Sequence, residues 1–330
     1  MHEPPQVSVV ITAYNEQSHI RATLTALAAD PWVVEGLAEV ILVDDRSTDA
    51  TVAEALAAGL PGLRLLHGTA FPASDIHRLT TRQRALDQGF RAARGQVVLT
   101  LDADSTLPAG WVAQMARPVL DGQVAAVAGP IGFLPVSGAV AHWQNCDTAH
   151  YHAVAALIAG AKLPSGVFFG NFAFRADLYT ALGGFDRIGR ALTEDLAFAR
   201  ALGQAGHRIG YAGAPTRVDV QAAPGLSALV DRTMRITQGP VSVLAAVLTL
   251  WPLSLLVTLL GFGLWGPWPL IWRYGAGVVC LWGAIWRTHP DRRLFFFALI
   301  HEPLVFGLAL GVALRKARRK GIIWGGARYD

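Results

Sequence analysis

Gly95-Gln96-Val97-Val98-Leu99-Thr100-Leu101-Asp102-Ala103-Asp104 is an apolar, β-branched run that ends in two carboxylates one residue apart. The run predicts a buried strand, with Asp102 and Asp104 at its carboxyl end. Open α/β sheets bind their ligands at that end. Two carboxylates fixed there can hold a divalent cation through hard oxygen ligands, and such a cation brings a phosphate-bearing substrate with it. Taken alone, Asp-x-Asp at a strand-to-loop junction is more often a turn or a helix cap. Its neighbours decide between the two.

Upstream, strand and helix signals alternate. Val7-Ser8-Val9-Val10-Ile11-Thr12 leads into Ala13-Tyr14-Asn15-Glu16 and a helical stretch from about Ser18 to Ala29. Glu39-Val40-Ile41-Leu42-Val43 runs into Asp44-Asp45-Arg46-Ser47-Thr48-Asp49 and another helix, and a short strand at Leu63 to His67 precedes a helix carrying Arg82, Arg84 and Arg91. Strands spaced by helices predict an α/β fold with a parallel, doubly wound sheet. Tyr14, Glu16, Asp45 and Asp104 then gather at strand ends. Asp44 and Asp45 could cap the next helix through Ser47 or Asp49. As a second acidic site on the same sheet, they also suit a base or ribose while the first site meets metal and diphosphate. No Gly-x-Gly-x-x-Gly follows the first strand and no Walker loop is present, so phosphate charge falls to metal and basic side chains, Arg82 first and Arg84 second.

Composition places this domain beside a membrane. The 330 residues are 52% hydrophobic, with a mean hydropathy of +0.36, too apolar for an ordinary soluble enzyme of this length. Residues 1–239 hold most of the charge, whereas 240–313 is almost continuously apolar. The net charge of +4 owes much to Arg315, Lys316, Arg318, Arg319 and Lys320, directly after an apolar segment. That placement favours anionic lipid over nucleic acid, and a cytoplasmic tail. Only Cys146 and Cys280 are present, so no disulfide framework is expected and the soluble part suits a reducing compartment. The stretch Val7 to Ile11 is too short for a secretory signal core.

The sequence resembles the family 2 glycosyltransferases through Val7 to Glu16, through Val43-Asp44-Asp45-Arg46-Ser47-Thr48-Asp49-Ala50-Thr51, and through Asp102-Ala103-Asp104. The resemblance implies a GT-A (Rossmann-like) nucleotide-diphospho-sugar transferase domain followed by C-terminal transmembrane helices. It implies that Thr12, Tyr14 and Asp45 line a nucleoside pocket, with Glu16 beside them, and that Arg82 stands near the diphosphate. Asp104, with Asp102 next to it, would bind Mn2+ or Mg2+. The implied partners are a UDP- or GDP-sugar donor and a lipid acceptor, with no nucleic acid. Arg46 stands where the family commonly has Gly.

Further along, Gly170-Asn171-Phe172-Ala173-Phe174-Arg175 and Gly183-Gly184-Phe185-Asp186 precede Thr193-Glu194-Asp195-Leu196. Thr193 can cap a helix whose positive end favours the two acids. The stretch is similar to the family's Thr-Glu-Asp motif, which makes Asp195 the expected general base, with Glu194 beside it. An acceptor hydroxyl needs such a group, being a poor nucleophile until its proton is removed. One base and one metal suffice for a single displacement with inversion. Arg232-Thr233-Met234-Arg235-Ile236 sits where membrane-bound relatives carry Gln-x-x-Arg-Trp; Arg235 matches, Arg232 and Ile236 do not. In processive polysaccharide synthases that Trp belongs to the acceptor platform, so its absence favours one transfer to a lipid over chain extension. Interfacial snorkelling is the alternative role for the two arginines.

The expected organisation is a catalytic domain over 1–239 with an interfacial segment near 225–239, an anchor over 240–313 and a basic tail over 314–330. The anchor divides into 241–265, 268–286 and 294–313, each near the ~20 residues that cross a bilayer. Trp251, Trp265, Trp268, Trp272 and Trp286 suit interfacial belts. Three crossings would put the basic tail outside, so an interruption at His301-Glu302-Pro303 is expected to make the third segment re-entrant or interfacial. His301 and Glu302 would either pair with each other or touch a polar head. The tail stretch from Trp324 to Tyr329 resembles a terminal motif of membrane-bound relatives, which favours a tail returning to the active domain. His142, His150 and His152 lack the spacing of a zinc site and read as packed histidines. The expected location is the inner cell membrane, multi-pass, with the catalytic domain cytoplasmic. A processive polysaccharide synthase and a non-catalytic membrane scaffold are the competing classes; the intact Asp45, Asp102, Asp104 and Asp195 speak against the scaffold.

Overall fold

The computed structural model describes residues 4–68, 78–135, 137–161, 167–237, 254–255, 257–262, 266–289 and 291–317, and the backbone of 322–324 and 327–329. Its elements in chain order begin with β1 (Val7–Ala13), α1 (Ile20–Ala28), α2 (Pro31–Val34), β2 (Ala38–Asp44), α3 (Thr51–Ala57), β3 (Arg64–His67), α4 (Thr81–Ala92) and β4 (Val97–Asp102). Next come α5 (Trp111–Leu120), β5 (Ala126–Ala128), β6 (Ile131–Leu134), α6 (Gly138–Gly160), β7 (Asn171–Arg175), α7 (Ala176–Ala181), α8 (Gly184–Ile188) and α9 (Glu194–Gln204). The chain closes with β8 (Ile209–Tyr211), β9 (Val218–Gln221), α10 (Leu226–Ile236), α11 (Trp268–Thr288), α12 (Leu294–Ala317) and a hairpin of β10 (Ile322–Trp324) and β11 (Ala327–Tyr329).

The main sheet has seven strands in the order β3-β2-β1-β4-β7-β5-β8. β1 to β4 are parallel, as the sequence predicts; β1, β2 and β4 are buried on both faces because helices cover both sides, and the edge strand β3 is half-buried. Alternation sorts their side chains. Val9, Ile11 and Leu99 face one core with Leu24, Trp111 and Met115, whereas Val10, Val43 and Val98 face a second with Phe90, Phe174 and Phe198. The sheet is mixed and not wholly parallel: β7 runs antiparallel to both β4 and β5. β6 and β9 form a separate parallel pair. Chain order reverses at β1, which has β2 on one side and β4 on the other, so a crevice forms between the carboxyl ends of β1 and β4. Thr12 pairs in register with Asp102 across it.

The apolar C-terminal part is attached to the α/β layers. α6 packs its Cys146 and Ala149 against Leu281 and Ile285 of α11 and Leu294 and Ala298 of α12. Among the described residues only α12 is both long and apolar enough to cross a membrane; 17% of its most apolar window is buried, so it is no core helix. α11 is long but less apolar, holding Arg273 and several Gly and Trp residues. Most of the expected 241–265 segment, with Trp251 and Trp265, lies outside the described residues, as do Arg318, Arg319 and Lys320. α12 runs unbroken through Pro303, against the expected interruption. Proline removes the bond that would reach the Leu299 carbonyl, and the Tyr274 hydroxyl of α11 donates to that carbonyl instead. His301 and Glu302 do not pair with each other. His301 meets Asp147 of α6 and Glu302 meets Arg273 of α11. Cys146 and Cys280 are free thiols.

At the amino-terminal edge of the strands, Glu39 draws β1, β2, β3 and the β4 approach together. It accepts from Ser8 Oγ at 2.7 Å, Arg64 Nη1 at 2.7 Å and Arg94 Nη2 at 2.7 Å. Burial alone would raise this carboxyl, but the bonds from Arg94, Ser8 and Arg64 pull it from 4.5 to about 2. Because the folded-state value lies below the ordinary one, Glu39 adds stability above about pH 4.5 that is lost as the pH falls through about 2. Glu39→Gln should therefore lower the thermal midpoint at neutral pH and flatten its decline through that acid window. Calorimetry across the window checks both; an unchanged acid slope would refute the clamp.

Candidate active site

The loops after β1 and β2 are sewn together. Asn15 adopts a left-handed conformation (φ 57°), which asparagine tolerates, and its N–H donates to Ser47 Oγ at 3.0 Å while its side-chain oxygen accepts from Thr48 N at 2.9 Å. Glu16 N donates to Thr51 Oγ1 at 2.7 Å. Within the second loop the neighbouring acids divide the roles open to them. Asp44 Oδ1 accepts from Ser47 N at 3.2 Å and serves the turn, whereas Asp45 faces a cleft. Arg46 Nε donates to Asp45 Oδ1 at 2.9 Å. Burial raises the Asp45 carboxyl, and Arg46 opposes that shift. Arg46 itself is left-handed (φ 62°), a conformation that explains why glycine suits this position.

The cleft has a volume of about 430 Å³ and opens over the crevice between β1 and β4. Thr12, Tyr14, Glu16, Asp45, Arg82, Asp102 and Asp104 all line it, so seven sequence candidates from four segments converge. Asp102 Oδ1 accepts from Arg82 Nη2 at 2.5 Å, and Arg82 Nε reaches Glu194 Oε1 at 2.9 Å. A capping box starts α4 and positions Arg82: Gln83 N donates to Thr80 Oγ1 at 3.1 Å and Thr80 N to Gln83 Oε1 at 3.0 Å. Gln83 also bonds Gly189 O and Ala191 N, which fixes the approach to Glu194. Gly170 has to be small, because a Cβ there would stand 2.5 Å from Asp102 Oδ2. Arg84 is buried on the same helix, on the side that feels Asp45.

Asp104 Oδ2 accepts from Gln221 N at 2.9 Å. Burial, then the Asp102 charge, raises the Asp104 carboxyl. Glu16 is raised too, by burial first and by Asp104 and Asp102, with His19 opposing. Three carboxylates thus crowd one end of the cleft, where a divalent cation would relieve their repulsion. Among the described residues no group of three or more His, Cys, Asp or Glu forms a self-sufficient metal cage. The oxygen-only set of Glu16, Asp102 and Asp104 is chemically of the kind a hard divalent cation takes, with most of its shell left to other oxygens.

Arg232 lines the opposite wall, its guanidinium 4.3 Å from the Phe133 ring centre. Burial, with Arg235 close by, pulls Arg232 down to about 10, and Asp102 and Asp104 oppose that. Arg235 follows one turn on along α10, half-buried near Glu194 and Asp195. Arg232 thus lines the cleft, whereas Arg235 stands behind it, near the two acids. Thr193 occupies the N-cap position of α9 without capping it, and its hydroxyl has no hydrogen-bond partner among the described residues. Glu194 and Asp195 fall in the first turn, off the cleft wall, and Glu194 connects to it through Arg82. Asp195 Oδ1 accepts from Leu196 N at 2.8 Å; burial, then Glu194, pushes its carboxyl up to about 7.

Sequence reasoning missed the wall formed by Val220, Gln221, Ala222 and Ala223. Gln221 acts through its backbone, so no residue type announces it. Asn171, quoted for the acceptor side, is structural: it bonds Trp111 Nε1, Pro130 O and Thr216 O in the core. The histidines are packed as expected, His152 against Ile131 and Tyr211 and His142 against Gly138 O.

Residues 8–179 match Glycosyl transferase family 2, and residues 97–314 match Glycosyl transferase family group 2. The chain belongs to glycosyl transferase family 2. The undecaprenyl-phosphate 4-deoxy-4-formamido-L-arabinose transferase of Aeromonas hydrophila is 33% identical over 118 residues, 35% of this chain and 34% of that enzyme. Its namesake from Yersinia pestis is 30% identical over 124 residues, 37% of this chain and 36% of that enzyme. The chain thus matches about a third of the length of these curated relatives. The mannosyltransferase PcManGT from Pyrobaculum calidifontis, solved with GDP-Man and Mn2+, aligns with a TM-score of 0.61 at 19% identity, over 97% of this chain and 89% of that one. That likeness shows a shared α/β GT-A-like fold.

The left-handed Arg46 costs about 1–2 kcal/mol of backbone strain, against an ion pair that is buried at Asp45 but open to solvent at Arg46 and worth about 1 kcal/mol. Arg46→Gly should therefore keep the folding stability of the parent or exceed it slightly in denaturant titration. A loss well beyond ~1 kcal/mol would show that the ion pair outweighs the strain.

Proposed function

We propose that this glycosyltransferase moves one sugar from a UDP- or GDP-sugar to a membrane lipid, with inversion and with a divalent cation. The observation that carries this reading is the convergence of Asp45, Arg82, Asp102, Asp104 and Arg232 on one cleft at the sheet's reversal point. In this reading Thr12, Tyr14 and Asp45 hold the nucleoside, with Glu16 beside them. Arg82 and Arg232, backed by Arg235, meet the diphosphate. Asp104 and Asp102 would hold Mn2+ or Mg2+, which when bound supplies positive charge for the departing diphosphate.

Asp195 takes the proton of an acceptor hydroxyl as that oxygen attacks the anomeric carbon. The bond from the anomeric carbon to the diphosphate oxygen breaks, and the nucleoside diphosphate leaves with the electron pair. One displacement inverts the centre. A lipid phosphate acceptor, of the kind the curated relatives are named for, is already anionic and would need no base. Attachment to lipid is supported by α12 and by the exposed Trp268, Trp272 and Trp286 of α11. The reading divides the chain into a catalytic domain over 1–239, an anchor over 240–313 and a tail over 314–330. It places the protein in the inner membrane, multi-pass, with the catalytic domain and tail on the cytoplasmic side. β10 lies alongside α10, which supports a tail that returns to the catalytic domain.

Asp195→Asn should bind the donor normally and lose about 10²–10⁴ in turnover; near-native turnover would overturn the base assignment. A base raised to about 7 gives an acid limb near that pH, active above it, and Glu194→Gln should move the limb to lower pH by removing a neighbouring negative charge. Asp104→Asn should weaken nucleotide binding with manganese far more than without it in titration calorimetry. Equal loss under both conditions would dismiss Asp104 as a metal ligand.

A further inference from the structure

A polar cluster between α6 and α12 lies outside every role given above. His301 Nε2 meets Asp147 Oδ1 at 2.9 Å. The His150 ring stands edge-on to His301 at 5.5 Å between centroids, and the Trp143 ring lies 6.4 Å from it. Trp143 is 4% exposed, and its Nε1–H has no hydrogen-bond partner among the described residues. The Asp147 side chain is 49% exposed, so the cluster is open on one side. Asp147 acts electrostatically on Arg232, which places the cluster beside the donor cleft. On α12 the residues around His301 include the exposed apolar Leu299, Ile300 and Leu304.

We propose that Trp143, Asp147, His150 and His301 bind the uncharged, hydroxyl-bearing head of the acceptor lipid, whose chain lies along the apolar face of α12. This rests on the lipid-acceptor reading and narrows it. A buried indole N–H can only donate, and leaving it unmet is costly, so an oxygen atom belongs there. A carboxylate can only accept, and with His301 on Oδ1 the other oxygen of the half-exposed Asp147 calls for a further donor. A hydroxyl supplies both functions at once. A phosphate group supplies acceptor oxygens alone and would set its charge against Asp147. Arg232, the cation on this side of the cleft, is already engaged with Phe133 and with the charges of Asp102 and Asp104. The cluster is not a metal site, since no group of three potential ligands among the described residues is arranged to hold an ion.

The test uses the full chain in phosphatidylcholine vesicles with Mn2+, supplied with UDP-glucose or GDP-mannose. Dodecanol and diacylglycerol serve as hydroxyl probes and undecaprenyl phosphate as the phosphate probe, and nucleotide affinity by calorimetry reports an intact donor site. The expected result is sugar transfer to a hydroxyl probe and not to undecaprenyl phosphate. Trp143→Phe, which keeps the ring and removes the N–H, should raise KM for the hydroxyl probe about tenfold with kcat and nucleotide affinity unchanged. His301→Asn should act in the same direction. Preference for undecaprenyl phosphate, or transfer to a hydroxyl probe with an unaltered KM in both variants, would overturn the cluster's role while leaving the lipid-acceptor reading in place. Nucleotide binding without transfer to any of the three lipids would overturn both.

Discussion

The guanidinium of Arg82, strung between Asp102 and Glu194, is the constraint around which the site is arranged. Asp102 ends a central strand and Glu194 starts a helix nearly a hundred residues later, so one cation joins the cleft edge of the sheet to α9. Without it, the cleft would hold buried carboxylates with little to offset their charge, and desolvation of such groups is expensive. Much of the surrounding architecture keeps this cation in place. The capping box at the start of α4 sets its height, Gln83 ties that helix to the loop before Glu194, and Gly170 makes room for the Asp102 carboxylate.

The parallel half of the sheet was legible because β1, β2 and β4 are β-branched runs each followed by a turn and a helix, and β3 falls between two helical stretches. The direction of β7 was not. Asn171 to Arg175 is simply an apolar run, and nothing in such a run encodes whether its neighbours are parallel or antiparallel. The carboxylates and Arg82 were readable as residue types at strand ends and helix starts. Gln221 was not, because a backbone N–H is common to nearly every residue and only tertiary placement gives it a role. Thr193 shows the reverse error: its type and position promise a cap, yet its hydroxyl makes no such bond.

The C-terminal helices show how tertiary partners override local rules. Proline in mid-segment predicts a break, but Tyr274 satisfies the carbonyl that proline strands, and the helix continues. His301 and Glu302 are adjacent in sequence and invite a mutual pairing. On a helix, adjacent residues point in different directions, and each finds its partner on a different element: Asp147 on α6 and Arg273 on α11. No local pattern could have predicted those pairings.

α12 also ends against the helix that carries Arg232 and Arg235. Arg315 pairs with Asp231 and bonds Ser227 Oγ at 2.7 Å, and Gly311 lets the helices approach so closely that a Cβ there would come within 3.1 Å of Val230. At about 1.5 Å per residue the 24 residues of α12 measure about 36 Å, longer than the ~30 Å hydrocarbon core of a bilayer. The surplus is roughly one helical turn, and it is the turn that grips α10. A shift of the carboxyl-terminal end of α12 would therefore be passed to α10 and so to Arg232 on the cleft wall.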